Sequence, residues 1–93
     1  MRLFRALADT NRLHIVSLLA SGGRTKKGAG EIGASEMLTR FSFSQPTLSH
    51  HMKILFEAGL VLRHRDGKNM HYTLDTNGIA KLSGFIESLR RDE

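Results

Sequence analysis

Cysteine is absent from these 93 residues, tryptophan is absent too, and proline occurs once. Without a thiol the sequence offers no disulfide, no thiolate metal site and no cysteine redox sensor. Its apolar runs fall far short of the roughly 20 residues that cross a bilayer, and no secretory leader pattern opens the chain. A cytoplasmic location is therefore the expectation, with no membrane partner. Catalytic patterns are missing as well: no Ser-His-Asp or Cys-His arrangement appears, and the acidic residues are scattered rather than paired on one face. The chain is not expected to be an enzyme or to carry a cofactor.

What is present suits one small domain spanning residues 1–93, since the length cannot hold two independent cores. At 40% hydrophobic and 25% charged residues the composition is that of a globular protein. Lys and Arg number 14 against 9 Asp and Glu, a formal charge of +5, which favours a polyanionic partner, nucleic acid ahead of membrane.

The stretch from Ser42 to Leu62 organises the rest. Ser44 is placed to cap a helix, Phe43 and Leu48 to staple its entry, Pro46 to sit in its first turn and Gly59 to end it. At helical spacing Leu48, Met52 and Leu55 share the inner face, flanked by His51 and Ala58. Gln45, Thr47, Ser49, His50 and Lys53 lie on the first turn or the outer face, a donor-rich set suited to reading base edges in a major groove.

Before it, Met1 to Ala8 has helical spacing in Leu3, Phe4 and Leu7, and Asp9 caps a helix from Thr10 to about Ala20. Leu13, Val16, Leu19 and Ala20 form the expected core stripe of that helix, widened by Ile15 and Leu18. Ser21 to Gly33, with five glycines and three basic residues, reads as a flexible charged loop; it lacks the Gly-Lys-Ser/Thr of a phosphate loop. A third helix follows from Ala34 or Ser35 to Phe41, with Ser35 as its cap and Met37, Leu38 and Phe41 as its core edge. Two helices joined by so short a turn form a helix-turn-helix.

After Gly59 the period changes from 3.6 to 2. Leu60–Arg65 and Lys68–Leu74 flank Asp66-Gly67, a hairpin signal whose turn centres on Asp66-Gly67 or Gly67-Lys68, with Val61, Met70, Tyr72 and Leu74 turned toward the core. Arg63, Arg65 and Lys68 continue toward the tip, where they are placed to meet phosphates. His64 and His71 fall together on the opposite face, a pair that lacks further metal ligands. Asp75 or Thr76 caps a last helix whose stripe of Ile79, Leu82, Phe85, Ile86 and Leu89 exceeds what a peripheral helix needs, and it is read as an oligomer interface.

In three segments the chain resembles the ArsR (arsenic-repressor-like) family of winged-helix transcriptional regulators. They are Leu7-Ala8-Asp9-Thr10-Asn11-Arg12-Leu13, then Ser44 to Leu55 with Glu57-Ala58-Gly59-Leu60-Val61, and the hairpin Arg65-Asp66-Gly67-Lys68 with Tyr72 and Leu74. The resemblance implies a mainly α fold with a β-hairpin wing: four helices, two strands and a fifth helix. It implies a homodimeric repressor on double-stranded DNA, joined through its first and last helices. That places Leu3 and Leu7 beside the stripe of the last helix. The departure is at the sensor. Arsenic-sensing members carry Cys-x-Cys at positions matching Gly33 and Ser35, and the last helix here has none of the histidines that zinc-sensing members use. DNA binding carries over; metal sensing does not, and no metal site is assigned. Two modes of control fit these residues, a repressor governed by its own concentration and one released by an unidentified signal. The rival reading is a winged-helix module that binds protein instead of DNA, but it has no need of a basic wing tip and a donor-rich helix together.

Overall fold

The computed structural model describes residues 2–21 and 31–91. The order is α1 (Arg2–Leu7), α2 (Thr10–Ser21), β1 (Ile32–Gly33), α3 (Ala34–Arg40), α4 (Gln45–Glu57), β2 (Val61–Asp66), β3 (Asn69–Leu74) and α5 (Thr76–Arg91). The loop reading of residues 22–30 lies outside the described residues.

Local chemistry sets most boundaries. Asp9 Oδ1 accepts from the Arg12 amide at 3.0 Å and caps α2. Ser44 Oγ accepts from the Thr47 amide at the start of α4, with Pro46 in the first turn. Gly59, at φ 78°, takes the left-handed position after that helix, a conformation glycine adopts without penalty. Asp75, rather than Thr76, caps α5, its Oδ1 accepting from the Asn77 amide at 3.0 Å.

Three expectations are corrected. Leu13 is 46% exposed and Ala20 is also exposed, so the α2 stripe centres on Ile15 and Leu19, with Val16 and Leu18 half-buried beside them. α2 packs against both α1 and β3, and its buried line is turned by about one residue from the expected one. Ser35 does not cap α3: Gly33 holds that position without a side-chain bond, and Ser35 lies exposed in the first turn. Ile32 and Gly33, assigned to the loop, form a strand paired antiparallel with β3, Ile32 opposite Tyr72 and Gly33 opposite His71. Ile32 is buried, and its side chain is what holds this short strand to the core.

The sheet order is β1-β3-β2. In the hairpin Arg63 faces Tyr72, Arg65 faces Met70 and Asp66 faces Asn69, leaving Gly67-Lys68 as the two-residue turn. Gly67 has φ 63°, the positive value a tight hairpin turn needs at its first central residue. The core gathers Ala6, Ile15, Leu19, Ile32, Met37, Leu48, Met52, Leu55, Leu60, Val61 and Tyr72 from seven elements and the α4–β2 turn. α1 packs against α2 and α4, and α3 against α4 and β3. The helix-turn-helix is thus clamped between the N-terminal helices and the hairpin.

Candidate nucleic-acid interface

The inner face of α4 buries Leu48, His51, Met52 and Leu55, which turns Gln45, Ser49, His50 and Lys53 to solvent as the 3.6 period requires. Thr47 is exposed too, but its hydroxyl oxygen accepts from the Ser44 hydroxyl at 2.9 Å. Its own O–H stays available to an outside acceptor.

Between α4 and the hairpin opens a cleft of about 280 Å³. Gln45 and Ser49 border it on the helix side, and Arg63, Arg65 and Lys68 on the strand side. Five of the eight residues expected to touch DNA therefore meet in one basic groove, while Thr47, His50 and Lys53 stand outside it along the helix. Tyr72 lies at the cleft with 6% exposure, and burial pushes its phenol above the ordinary value despite the opposing Arg63 and Arg65 charges. It stays neutral and serves as the floor. Arg63 differs from the other cations: its guanidinium lies over the Phe56 ring at 4.1 Å from the centroid. Such a contact ties the wing to the C-terminal end of α4 while leaving the charge in place.

On the other face of the hairpin His64 and His71 are cross-strand partners with stacked rings 5.2 Å apart. Glu31, whose role sequence reasoning missed, brings Oε2 to 3.1 Å from His64 Nε2 and 3.7 Å from His71 Nδ1. Its position follows from the β1 pairing, which has no local sequence signal. Among the described residues no set of three His, Cys, Asp or Glu side chains forms a metal centre.

Sequence reasoning also missed Arg12. Its side chain is only 12% exposed; Nε donates to the Ala6 carbonyl at 2.6 Å, and one terminal nitrogen lies 3.1 Å from His51 Nδ1. The 39 residues separating the two hide this contact from any local pattern.

Helix-turn-helix, hairpin and basic groove together make a winged helix-turn-helix. A family model for bacterial regulatory proteins of the arsR family matches residues 9–62, from the α2 cap through the reading helix to the start of the wing. The chain belongs to the arsR family. It is accordingly a regulatory protein and not an enzyme. The arsenical resistance operon repressor of Staphylococcus aureus is 41% identical over 87 residues, covering 94% of this chain and 73% of that protein. A crystal structure of a possible transcriptional regulator for arsenical resistance superposes with TM-score 0.79 at 30% identity, covering 96% of this chain and 84% of that one. The homodimeric winged helix-turn-helix DNA-binding domain of Mb0332 from Mycobacterium bovis, a possible ArsR-family regulator, gives TM-score 0.69 at 26% identity over 98% of this chain and 77% of that chain. Among the described residues no helix is long and apolar enough to cross a membrane.

Proposed function

We propose that the protein is a homodimeric repressor that reads a two-fold-symmetric DNA operator. Gln45, Ser49 and His50 reach base edges, and Thr47, Lys53, Arg63, Arg65 and Lys68 hold phosphates. The observation that carries this reading is the basic groove between α4 and the wing, where donors for bases and cations for phosphates lie side by side. The rival protein-binding module has no use for that combination.

Dimerisation rests on α1 and α5. Phe85, Ile86 and Leu89 are 38%, 51% and 53% exposed in the single chain, too much apolar surface on one helix to leave in water. Ile79 packs on the core, and Leu82 lies half-buried between that end and the exposed one. Leu3 and Leu7 are half-buried on α1, and Phe4 of the same helix meets Phe85 edge-on at 4.9 Å, so the two helices form one continuous surface. A second copy seated there brings two reading helices to two half-sites.

The named activity of the arsenical relatives does not transfer with the fold. These 93 residues hold no thiol, and a soft ion has no thiolate to bind. Release from DNA follows from dilution of the repressor or from a signal other than a thiophilic metal.

Selection of bound sequences from a random duplex library tests the reading. The expected result is a palindromic consensus bound by two protomers. A consensus without two-fold symmetry, or no enrichment at all, would overturn it.

A further inference from the structure

His51 is the one polar side chain buried among the described residues, at 7% exposure, and it sits on the inner face of the reading helix next to the outward His50. Its partner is the Arg12 guanidinium. Arginine nitrogens only donate, so His51 Nδ1 must accept, and its ring must be the neutral tautomer with the proton on Nε2. The same guanidinium donates to Ala6 at the end of α1 and lies 4.0 Å from Asp9 at the α1–α2 corner. One half-buried cation thus joins the helix that meets α5 to the helix that faces DNA.

We propose that His51 is a positioning residue: by accepting from Arg12 it holds the reading helix at a fixed attitude to the dimerising helices, and it can do so only while uncharged. The proposal rests on the DNA-binding reading above. A protonated His51 would present an N–H to a guanidinium 3.1 Å away and lose the bond. The groups facing the ring are Arg12 from α2, Asp9 from the corner, His50 from α4 and the Phe43 ring, 5.2 Å away, from the turn. Burial holds the imidazole below its ordinary value, Arg12 and His50 add to this, and only Asp9 opposes. At neutral pH the bond is intact.

Acidification then acts on DNA binding through this one buried ring. Protonating His51 releases the reading helix and weakens the match to two half-sites at once. The ratio of specific to non-specific affinity is the quantity that falls.

The test compares the selected duplex with an unrelated duplex of equal length. For the wild-type dimer the ratio is expected to fall about tenfold as pH is lowered from about 8 to the point where the ring gains a proton on Nδ1, and a ratio that stays level through that point would overturn the proposal. His51→Asn offers an amide oxygen near the place of Nδ1 and cannot be protonated, so its ratio should change far less with pH. His51→Phe keeps the bulk but removes the acceptor, so its ratio should be low throughout; Arg12→Gln probes the same contact from the other side. Circular dichroism and sedimentation establish that each variant is a folded dimer. A wild-type ratio in His51→Phe, or a fall in His51→Asn as large as in the wild type, would overturn the proposal. A second readout is independent of DNA: nitrogen-15 shifts of the His51 ring in the free protein should report a bare Nδ1 at about pH 8, and a proton there would rule out the contact itself. Failure to prefer any duplex would defeat the DNA-binding reading, while the ring shifts would still decide the contact.

Discussion

A β-carbon placed on Gly78 would stand 1.8 Å from the carbonyl oxygen of Gly59. The first turns of α5 therefore lie directly on the turn that ends the reading helix, and the Asp75 amide donates to the Leu60 carbonyl at 2.9 Å beside them. Both sides of the Gly78 contact are backbone, so neither can rotate away.

Gly78→Ala should accordingly destabilise the fold by about 1–3 kcal/mol or more, through forced separation of α5 from the turn. Gly84→Ala, on the same helix with nothing within 4 Å of the added carbon, should be neutral or stabilising by up to about 1 kcal/mol. Urea unfolding of both variants checks this. Equal effects at the two sites would show that helix propensity, not contact, governs Gly78.

Phe85→Asp should yield monomers and remove specific DNA binding together. The charge would enter the α1–α5 surface beside Phe4, and an operator with two half-sites needs two protomers. Sedimentation of the wild type as a monomer at tens of micromolar would contradict the interface assignment.

Arsenite, cadmium and lead should leave the DNA complex intact, since no thiolate is available to them. Titration of each ion against a preformed complex reads this directly. Release at a stoichiometric ratio of arsenite would defeat the argument from missing cysteines.

Reading helix and wing should respond differently to truncation. Gln45→Ala or His50→Ala should cost roughly 1–3 kcal/mol on the preferred duplex and relax one base position in each half-site. Arg65→Ala or Lys68→Ala should weaken all duplexes alike and lower the salt slope by about 0.9 per contact in each half-site. Arg63→Ala should do both in part, because Arg63 also anchors the wing on Phe56. Wing variants that changed the preferred bases while helix variants did not would reverse the assignment of the reading element.

Stability should decline with acid in two stages. His51 is held below 6.5 in the fold, so the unfolded chain binds its proton first, and stability falls as pH drops below that value. Asp9 is held below 3.8, chiefly by the Arg12 amide it caps. Its contribution is full above that value and disappears as pH falls further. Thermal midpoints across this range should show the upper stage vanish in His51→Asn and persist in Asp9→Asn.

Features made by neighbours in the chain were legible in the sequence. The Ser44 cap, the Pro46 first turn, the Gly59 stop and the shared parity of Arg63, Arg65 and Tyr72 follow from turn chemistry and period alone. What escaped depends on distant partners. Leu13 has the spacing of a core residue, but α2 is rotated by what it packs on, and that is set elsewhere in the fold. Ile32 becomes a strand residue only because Tyr72 offers it an edge. Arg12 and His51 each read as ordinary helix polar residues until the two helices meet.

Because β3 lies between its two neighbours, β2 is the long edge of the sheet among the described residues, and such edges invite another strand to add. Along it run Arg63, His64 and Arg65, all exposed. Two free molecules approaching edge to edge repel one another, which protects the wing from self-association in concentrated solution. The edge charge thus guards the wing against strand addition by another copy.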